Sequence, residues 1–194
     1  MIIQFCGLSG AGKTTLAHAV KAKLCKHRLH VEIIDGDEYR ETLCKGLGFS
    51  KNDRYENIRR MAFVAGKLSQ HGIISIICAI NPYDHIRKEI RVTYRHVLTV
   101  HIDCSIQVLQ QRDTKGLYRR AMLPDGHPEK ISNLTGINDP FEVPDDPDLH
   151  INTEGSSPEV CSVKVAEFIL QHIFHTRVIQ LEFGSMSGRK ASSL

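Results

Sequence analysis

Two short stretches of the sequence carry residue types that could bind and transfer a phosphoryl group. The first, GLSGAGKTT at 7–15, has Gly7, Gly12, Lys13 and Thr14 at the fixed positions of the pattern G-x-x-x-x-G-K-[ST]. Glycines at this spacing let backbone N–H groups face phosphate oxygens, and a helix beginning at Lys13 adds its positive dipole end. The pattern predicts a phosphate-binding loop in which Lys13 reaches the β- and γ-phosphates and Thr14 binds Mg²⁺.

The second stretch, IIDGDEYR at 33–40, sets two carboxylates one residue apart. In an open parallel sheet the carboxyl end of the second strand lies beside the phosphate-binding loop, so Asp35 and Asp37 are expected near a γ-phosphate. One carboxylate could take the proton of an acceptor hydroxyl, and the other could hold Mg²⁺ through water. An Asp-Gly turn with Asp37 capping the next helix is the alternative, and it fits Asp37 equally well.

A third stretch, GLGFSKNDRYENIRR at 46–60, places Arg54 and Asn57 on one face of a predicted helix. Arginine forks bind phosphate or sulfate oxygens through two parallel hydrogen bonds, and an asparagine can recognise a polar edge of a ligand. Phe49 precedes this helix and is either a stacking surface for a base or an ordinary core residue. The stretch is therefore a candidate acceptor site.

The composition is that of a globular protein of one domain, with 194 residues, 41% hydrophobic and 24% charged. A formal net charge of +3 does not require a nucleic-acid partner, and a small anionic substrate suits the arginine clusters. The longest apolar stretch, 73–80, is far shorter than the roughly 20 residues that span a bilayer, and the N-terminus has no leader pattern. Six cysteines without a close pair indicate reduced thiols and a cytoplasmic location, with no membrane partner.

Short apolar runs alternate with helical patterns along the chain, which predicts an α/β fold with a parallel sheet. The predicted strands are 2–6, 31–34, 73–80, 97–102 and 149–151. The predicted helices are 13–29, 53–70, 86–94 and a last one that begins at Pro158 after the Ser156-Ser157 cap and continues to Ile173.

One segment, 113–148, does not fit this alternation because it is rich in Gly, Pro, Asp and Asn. Loops of this length are commonly functional, and Arg119, Arg120 and Lys130 beside apolar residues favour a mobile lid over a linker. We therefore expect one domain at 1–175 with a lid at about 113–148, followed by a partly disordered C-terminal extension at 176–194.

Five motifs, in order, resemble those of the adenylylsulfate kinases (APS kinases) over about residues 2–152. They are GLSGAGKTT, DGDEYR, GLGFSKNDRYENIRR, CAINPY and RDTKGLYRRA with NLTGINDPFEVP. The resemblance implies a P-loop NTPase fold, a three-layer α/β sandwich with a central parallel sheet, in a homodimer. It also implies transfer of the ATP γ-phosphate to the ribose 3′-hydroxyl of adenosine 5′-phosphosulfate, giving PAPS in sulfate assimilation.

The resemblance further implies roles for individual residues. Asp35 becomes the catalytic base and acts with Lys13, while Thr14 binds Mg²⁺ with Asp35 or Asp37 through water. The implied ATP-binding residues are Gly7, Leu8, Ser9, Gly10, Ala11, Gly12, Lys13, Thr14, Thr15, Thr135 and Gly136. The implied acceptor-binding residues are Asp37, Arg40, Phe49, Arg54, Asn57, Ile80, Asn81, Lys115, Gly116 and Leu117.

Three departures from the family pattern fall on the acceptor side. Asn81 and Asp84 stand where the family usually has Ser and Arg, Leu134 replaces a phenylalanine of the adenine clamp, and the lid is longer. A related kinase with another acceptor, such as a cytidine diphosphate derivative in surface-polysaccharide modification, is therefore the alternative. A nucleotide-binding module without turnover is disfavoured because Lys13 and Asp35 are intact.

Overall fold

A five-stranded parallel sheet forms the centre of the protein, in the strand order β2-β3-β1-β4-β5. The computed structural model describes the backbone of residues 1–187 and the side chains of residues 1–175. The strands are β1 (Ile2–Cys6), β2 (Val31–Asp35), β3 (Ile74–Cys78), β4 (Val97–Asp103) and β5 (Leu149–Asn152). The predicted α/β class and parallel sheet are confirmed, with strand ends shifted by one or two residues.

Seven helices accompany the sheet in the described residues. They are α1 (Lys13–Lys26), α2 (Gly36–Glu41), α3 (Lys51–Gln70), α4 (Asp84–Thr93), α5 (Ile106–Arg112), α6 (Leu117–Ala121) and α7 (Pro158–Ser187). The prediction that the first helix reaches residue 29 is wrong, because Arg28 has a positive φ of 58° that a right-handed helix does not accommodate. The third helix begins two residues before the predicted start, since the Ser50 hydroxyl accepts a hydrogen bond from the Asp53 amide and caps it.

Two apolar layers cover the faces of the sheet, as a three-layer sandwich requires. Neighbouring strand residues point to opposite faces, so Ile3 and Phe5 pack on the α1 and α7 side while Ile2 packs on the α3 and α4 side. Because both faces are buried, the strands need no alternation of polar residues. This explains why the sequence shows continuous apolar runs.

The parallel arrangement brings the carboxyl ends of β1, β2 and β3 to one edge of the sheet. Gly7 follows β1 and has a φ of 152°, and a Cβ atom there would collide with the Ile102 carbonyl oxygen. Its amide donates a hydrogen bond of 3.1 Å to the Ile80 carbonyl beyond β3. Only glycine can fill this gap between β3 and β4.

The predicted lid at about 113–148 contains one short helix, α6, that the sequence analysis did not predict. The predicted domain boundary at 175 falls inside α7, which continues to Ser187. Residues 188–194 of the predicted extension lie outside the described residues. Among the described helices, none is long and apolar enough to cross a membrane.

The Gly66→Ala change in α3 should destabilise the protein even though alanine is the better helix former. A methyl group at this position would collide with the Tyr94 ring, and such overpacking costs about 1–3 kcal/mol against roughly 1 kcal/mol of gained helix propensity. Urea unfolding should therefore give a lower midpoint for Gly66→Ala. In a Tyr94→Ala background, Gly66→Ala should raise the urea midpoint, because the added methyl group no longer meets a ring. A raised midpoint for Gly66→Ala in the wild-type background would contradict this packing.

Candidate active site

A cavity of about 700 Å³ opens at the carboxyl edge of the sheet, between the phosphate-binding loop, α3 and the lid. It is lined by most of the residues that the sequence singles out. From the predicted ATP set these are Ser9, Gly10, Gly12, Lys13, Thr14, Thr15 and Thr135, and from the catalytic and acceptor sets Asp35, Asp37, Arg40, Phe49, Arg54, Asn57, Ile80, Asn81, Lys115 and Leu117. Donor and acceptor candidates thus share one space.

Five predicted site residues do not line this cavity, and each has a place in the fold instead. Gly7 fits between two strands, and Ala11 is fully buried beneath the loop. Leu8 packs under the lid, where a Cβ at Gly136 would lie 2.7 Å from its Cδ2 atom. Gly116 precedes α6 with a left-handed φ of 64°. Direct ligand contacts by these five remain a prediction.

The side chain of Lys13 folds back over its own loop. Its Nζ atom donates hydrogen bonds to the Gly7 carbonyl at 2.9 Å and to the Leu8 carbonyl at 2.7 Å. Burial lowers the pKa of Lys13 to about 8, because removing the ammonium from water disfavours its charged form. An anion arriving at the loop would favour the protonated amine.

Asp35, the last residue of β2, uses both carboxylate oxygens. One accepts a hydrogen bond of 2.7 Å from the Thr14 hydroxyl, and the other accepts 2.9 Å from the Asp37 amide as the N-cap of α2. The alternative of Asp37 as the helix cap is therefore wrong, because Asp35 already fills that position. Asp37 instead extends its carboxylate to Lys115 of the lid in an ion pair.

The candidate acceptor side is built around a buried cation. Arg54 is 6% exposed and pairs with Asp139 at 2.8 Å, and it donates to the Asn133 carbonyl at 2.7 Å and the Phe49 carbonyl at 3.0 Å. Helix α3 thus ties the segment before it to the returning part of the lid. A buried guanidinium needs such partners, since an unpaired charge would be very costly.

Phe49 is half-exposed, so the reading as an ordinary core residue is wrong. The Arg40 guanidinium carbon lies 4.4 Å from the centre of its ring, and that of Arg54 lies 5.5 Å away. Arg40 also donates to the Gly48 carbonyl at 3.0 Å. The ring is held by two cations at the cavity wall, where a planar base could stack on it.

Two asparagines that line the cavity each have an amide oxygen without a hydrogen-bond partner among the described residues. Asn57 and Asn81 are buried, and the Oδ1 atom of each is unpaired although both side chains border the cavity. A buried acceptor without a donor costs about 1–3 kcal/mol. Both oxygens are shielded from solvent, so a ligand that offers hydroxyl or amino donors would remove this cost only if the side chains turned towards it.

The structure adds lid residues that the sequence analysis did not assign to the site. Thr114, Arg120, Ile131 and Asn133 line the cavity. Tyr118 of α6 donates from its hydroxyl to the Ser9 carbonyl at 2.8 Å, and burial raises the pKa of this phenol to about 12. Helical spacing from Lys115 could not have suggested Tyr118, because α6 begins at Leu117 after the left-handed Gly116.

Two of the departures from the family pattern take on a different meaning in the structure. Asp84 does not line the cavity; it begins α4 and pairs with Lys88 and Arg87, which suits a negative charge at a helix N-terminus. Asp84, which stands where the family usually has Arg, therefore does not change the charge of the cavity lining. The expectation that it belongs to the acceptor side is wrong. Leu134 does border the cavity, but it is only 6% exposed and belongs to the core on the α1 side.

Comparison with known proteins assigns this arrangement to a family. The family model for adenylylsulphate kinase matches residues 1–152. The chain belongs to the adenylylsulphate kinase family. An adenylyl-sulfate kinase of Deinococcus deserti is 44% identical over 153 residues, which make up 79% of this chain and 82% of that protein.

Other members of the family agree with this assignment. An adenylyl-sulfate kinase of Synechococcus sp. is 47% identical over 158 residues, covering 81% of this chain and 87% of that protein. The Mycobacterium tuberculosis APS kinase in complex with AMPPNP and APS is 32% identical with a TM-score of 0.80, over 87% of this chain and 96% of that one. This structural similarity confirms the predicted P-loop kinase fold.

The pKa of Lys13 predicts that triphosphate binding takes up protons above pH 8. The free amine has a pKa of about 8, and phosphate anions beside it raise that value, so affinity for ATP should fall by up to about tenfold per pH unit above pH 8. Titration calorimetry in buffers of different ionisation enthalpy measures this uptake. The Lys13→Arg variant keeps its proton throughout this range and should show weaker, pH-independent binding. Equal proton uptake in both proteins would contradict the role of Lys13.

Proposed function

We propose that the protein transfers the γ-phosphoryl group of ATP to the ribose 3′-hydroxyl of adenosine 5′-phosphosulfate, giving PAPS and ADP in sulfate assimilation. The observation that carries this proposal is the single cavity that joins the phosphate-binding loop to the paired arginines and unpaired asparagine oxygens. The family assignment and the names of the relatives support both substrates. Phosphoryl transfer requires mainly positioning and charge stabilisation, which such a cavity can supply.

The residues on the donor side of the cavity fit ATP. The loop at 7–15 directs backbone N–H groups and the N-terminus of α1 towards the phosphates, and Lys13 exchanges its two loop carbonyls for the β- and γ-phosphates. Tyr118 holds the lid helix on the loop through Ser9. The lid would exclude water, so that the γ-phosphoryl group reaches the acceptor hydroxyl and not a water molecule.

The oxygen donors beside the loop fit Mg²⁺. The Thr14 hydroxyl and the Asp35 carboxylate are already in contact, and the Asp37 carboxylate lines the same cavity. Among residues 1–175 there is no cluster of three His, Cys, Asp or Glu side chains that could hold a metal by itself. This suits Mg²⁺, which commonly keeps several waters and uses one or two protein oxygens together with substrate phosphates. When bound, it would neutralise charge on the β- and γ-phosphates.

The residues on the acceptor side of the cavity fit a phosphosulfate nucleotide. Arg40, Arg54 and Lys115 supply positive charge for the phosphosulfate group, and Phe49 supplies a stacking surface for the base. Asn57 and Asn81 offer acceptor oxygens to the ribose or base. Asp35 would take the 3′-hydroxyl proton while the oxygen forms its bond to the γ-phosphorus and ADP departs.

A different nucleotide acceptor is the second candidate, and one observation favours it. Leu134 offers an aliphatic surface where the family clamp has an aromatic ring, so stacking on the base is one-sided. An aromatic pair contributes about 0.5–1.5 kcal/mol beyond area burial, and its loss weakens discrimination for adenine. A smaller base, such as that of a cytidine diphosphate derivative, could then compete.

We also propose that the protein is a cytoplasmic homodimer. Leu43, Phe63 and Val92 are large exposed apolar residues on or beside α3 and α4, and a second copy could cover them. The six cysteines are all free, which suits a reducing compartment. A mass of twice 21.8 kDa is expected in sedimentation equilibrium, and the monomer mass at micromolar concentration would refute the dimer.

The acceptor is identified by presenting a panel of nucleotides with ATP and Mg²⁺. Adenosine 5′-phosphosulfate should be phosphorylated at the 3′ position with the highest kcat/KM in the panel. Asp35→Asn should reduce kcat by about 10²- to 10⁴-fold, because the amide fills the same space but cannot accept the proton. Chromatography with ³³P-labelled ATP measures both quantities.

Two comparisons make this panel decisive. Leu134→Phe should lower KM for the adenosine nucleotide by about fivefold and should lower it less for a cytidine nucleotide, whose smaller base offers less stacking area. Preference for the cytidine nucleotide by the wild-type protein would overturn the adenosine assignment in favour of the second candidate. ATP binding without transfer to any member of the panel would support a binding module instead.

A further inference from the structure

Arg87 is a fully enclosed cation that lies behind the candidate acceptor site without lining it. It belongs to α4, is 2% exposed, and is the largest fully buried side chain among the described residues. A charged group in such a place is retained only when it is paired and hydrogen-bonded, since burial alone is unfavourable. The residues that pair with Arg87 therefore indicate which parts of the chain it keeps in position.

The guanidinium bridges two segments that are far apart in the sequence. Its Nη1 atom donates to the Asn81 carbonyl at 2.8 Å, and its Nη2 atom donates to the Glu142 carbonyl at 2.7 Å. Nη2 also lies 3.4 Å from a carboxylate oxygen of Asp84. Asn81 borders the cavity, whereas Glu142 belongs to the part of the lid that returns to the sheet.

Further hydrogen bonds join the same two segments. The Glu142 amide donates to the Pro82 carbonyl at 2.8 Å, and the Glu142 carboxylate accepts from the Asp84 amide at 2.7 Å. We name the group of Asn81, Asp84, Arg87 and Glu142 the acceptor clasp. Within it, the Arg87 guanidinium donates to a backbone carbonyl in each segment.

The conformation of Asn81 depends on this clasp. Its backbone has a left-handed φ of 47°, which is uncommon for a residue other than glycine. Its Nδ2 atom donates to the Gln4 side chain at 3.2 Å, which fixes the orientation of the amide whose Oδ1 atom is unpaired. Without a donor on the Asn81 carbonyl, the loop would lose the contact that holds this strained backbone.

The other side of the clasp leads to Arg54. Asp139, three residues before Glu142, forms the ion pair with Arg54, which lines the cavity from α3. Because Asp139 is close to Glu142 in the chain, keeping Glu142 in position also restricts the positions of Asp139 and Arg54. One guanidinium thereby sets two walls of the same cavity.

We infer that Arg87 is a positioning residue for the acceptor nucleotide, acting through Asn81 on one wall and through Glu142 and Asp139 on the other. The inference rests on the proposed function only for the identity of the acceptor. It assigns no contact between Arg87 and either substrate. The guanidinium itself contacts no residue of the phosphate-binding loop, so the effect of Arg87 should fall mainly on the acceptor.

Arg87→Lys tests this role because a lysine keeps the charge but cannot donate along two fixed directions. The variant should raise KM for the acceptor roughly ten- to hundredfold, as expected for lost charge-assisted hydrogen bonds, and leave KM for ATP within about twofold. The matched control is Arg91→Lys on the next turn of α4. Arg91 bonds Asp148 with both Nη atoms but does not contact Asn81, so both KM values should stay unchanged.

A double-mutant cycle separates positioning from general stability. If Arg87 acts through Asn81, Arg87→Lys should have a smaller effect on acceptor KM in an Asn81→Ala background than in the wild type. The inference would be overturned if the two changes were fully additive or if Arg87→Lys left the acceptor KM unchanged. It would also be overturned if Arg87→Lys raised both KM values in parallel and lowered the unfolding midpoint.

Hydrogen exchange tests the clasp independently of turnover. The Glu142 amide should exchange faster in Arg87→Lys than in the wild type and in Arg91→Lys, and equal exchange in all three proteins would refute the clasp. Absence of turnover by the wild-type protein on adenosine 5′-phosphosulfate would refute the proposed function instead. The two failures are thus distinguishable.

Discussion

The hydrogen bond from the Gly7 amide to the Ile80 carbonyl, 3.1 Å long, connects the two halves of the site. It forms because Gly7 has no side chain and can lie against Ile102 of the neighbouring strand. The phosphate-binding loop and the loop after β3 therefore start from one fixed point. A larger residue at position 7 would separate donor from acceptor before any ligand was bound, since no rotamer change can remove a Cβ atom.

Three cations that line the cavity have partners that a substrate could replace or extend. Lys13 holds loop carbonyls, Arg54 holds Asp139, and Lys115 holds Asp37 across the cavity. These pairs keep the cavity structured without ligand, while the oxygens of Asn57 and Asn81 stay unpaired. Polar groups fixed in advance reduce the reorganisation needed during phosphoryl transfer.

The fold and the donor side could be predicted from the sequence because their signals are local. Apolar runs and glycine spacing indicated the parallel sheet and the phosphate-binding loop, and both are present. The alternative of Asp37 as the cap of α2 could not be rejected from the sequence, because Asp35 and Asp37 are both plausible caps until the end of β2 is known. Arg87 received no role because its partners, Asn81 and Glu142, meet only in the folded chain. Asp84 was placed on the acceptor side for the same reason: its position near the acceptor motif did not reveal that it begins α4 and pairs with Lys88 of that helix.

The central claim is that the acceptor hydroxyl beside Asp35 is the ribose 3′-hydroxyl, and the most direct measurement is ³¹P NMR of the reaction product. With ATP, Mg²⁺ and adenosine 5′-phosphosulfate, the account predicts a new phosphomonoester resonance that shows scalar coupling to the ribose H3′ proton. Coupling to H2′, or the appearance of inorganic phosphate alone, would contradict it.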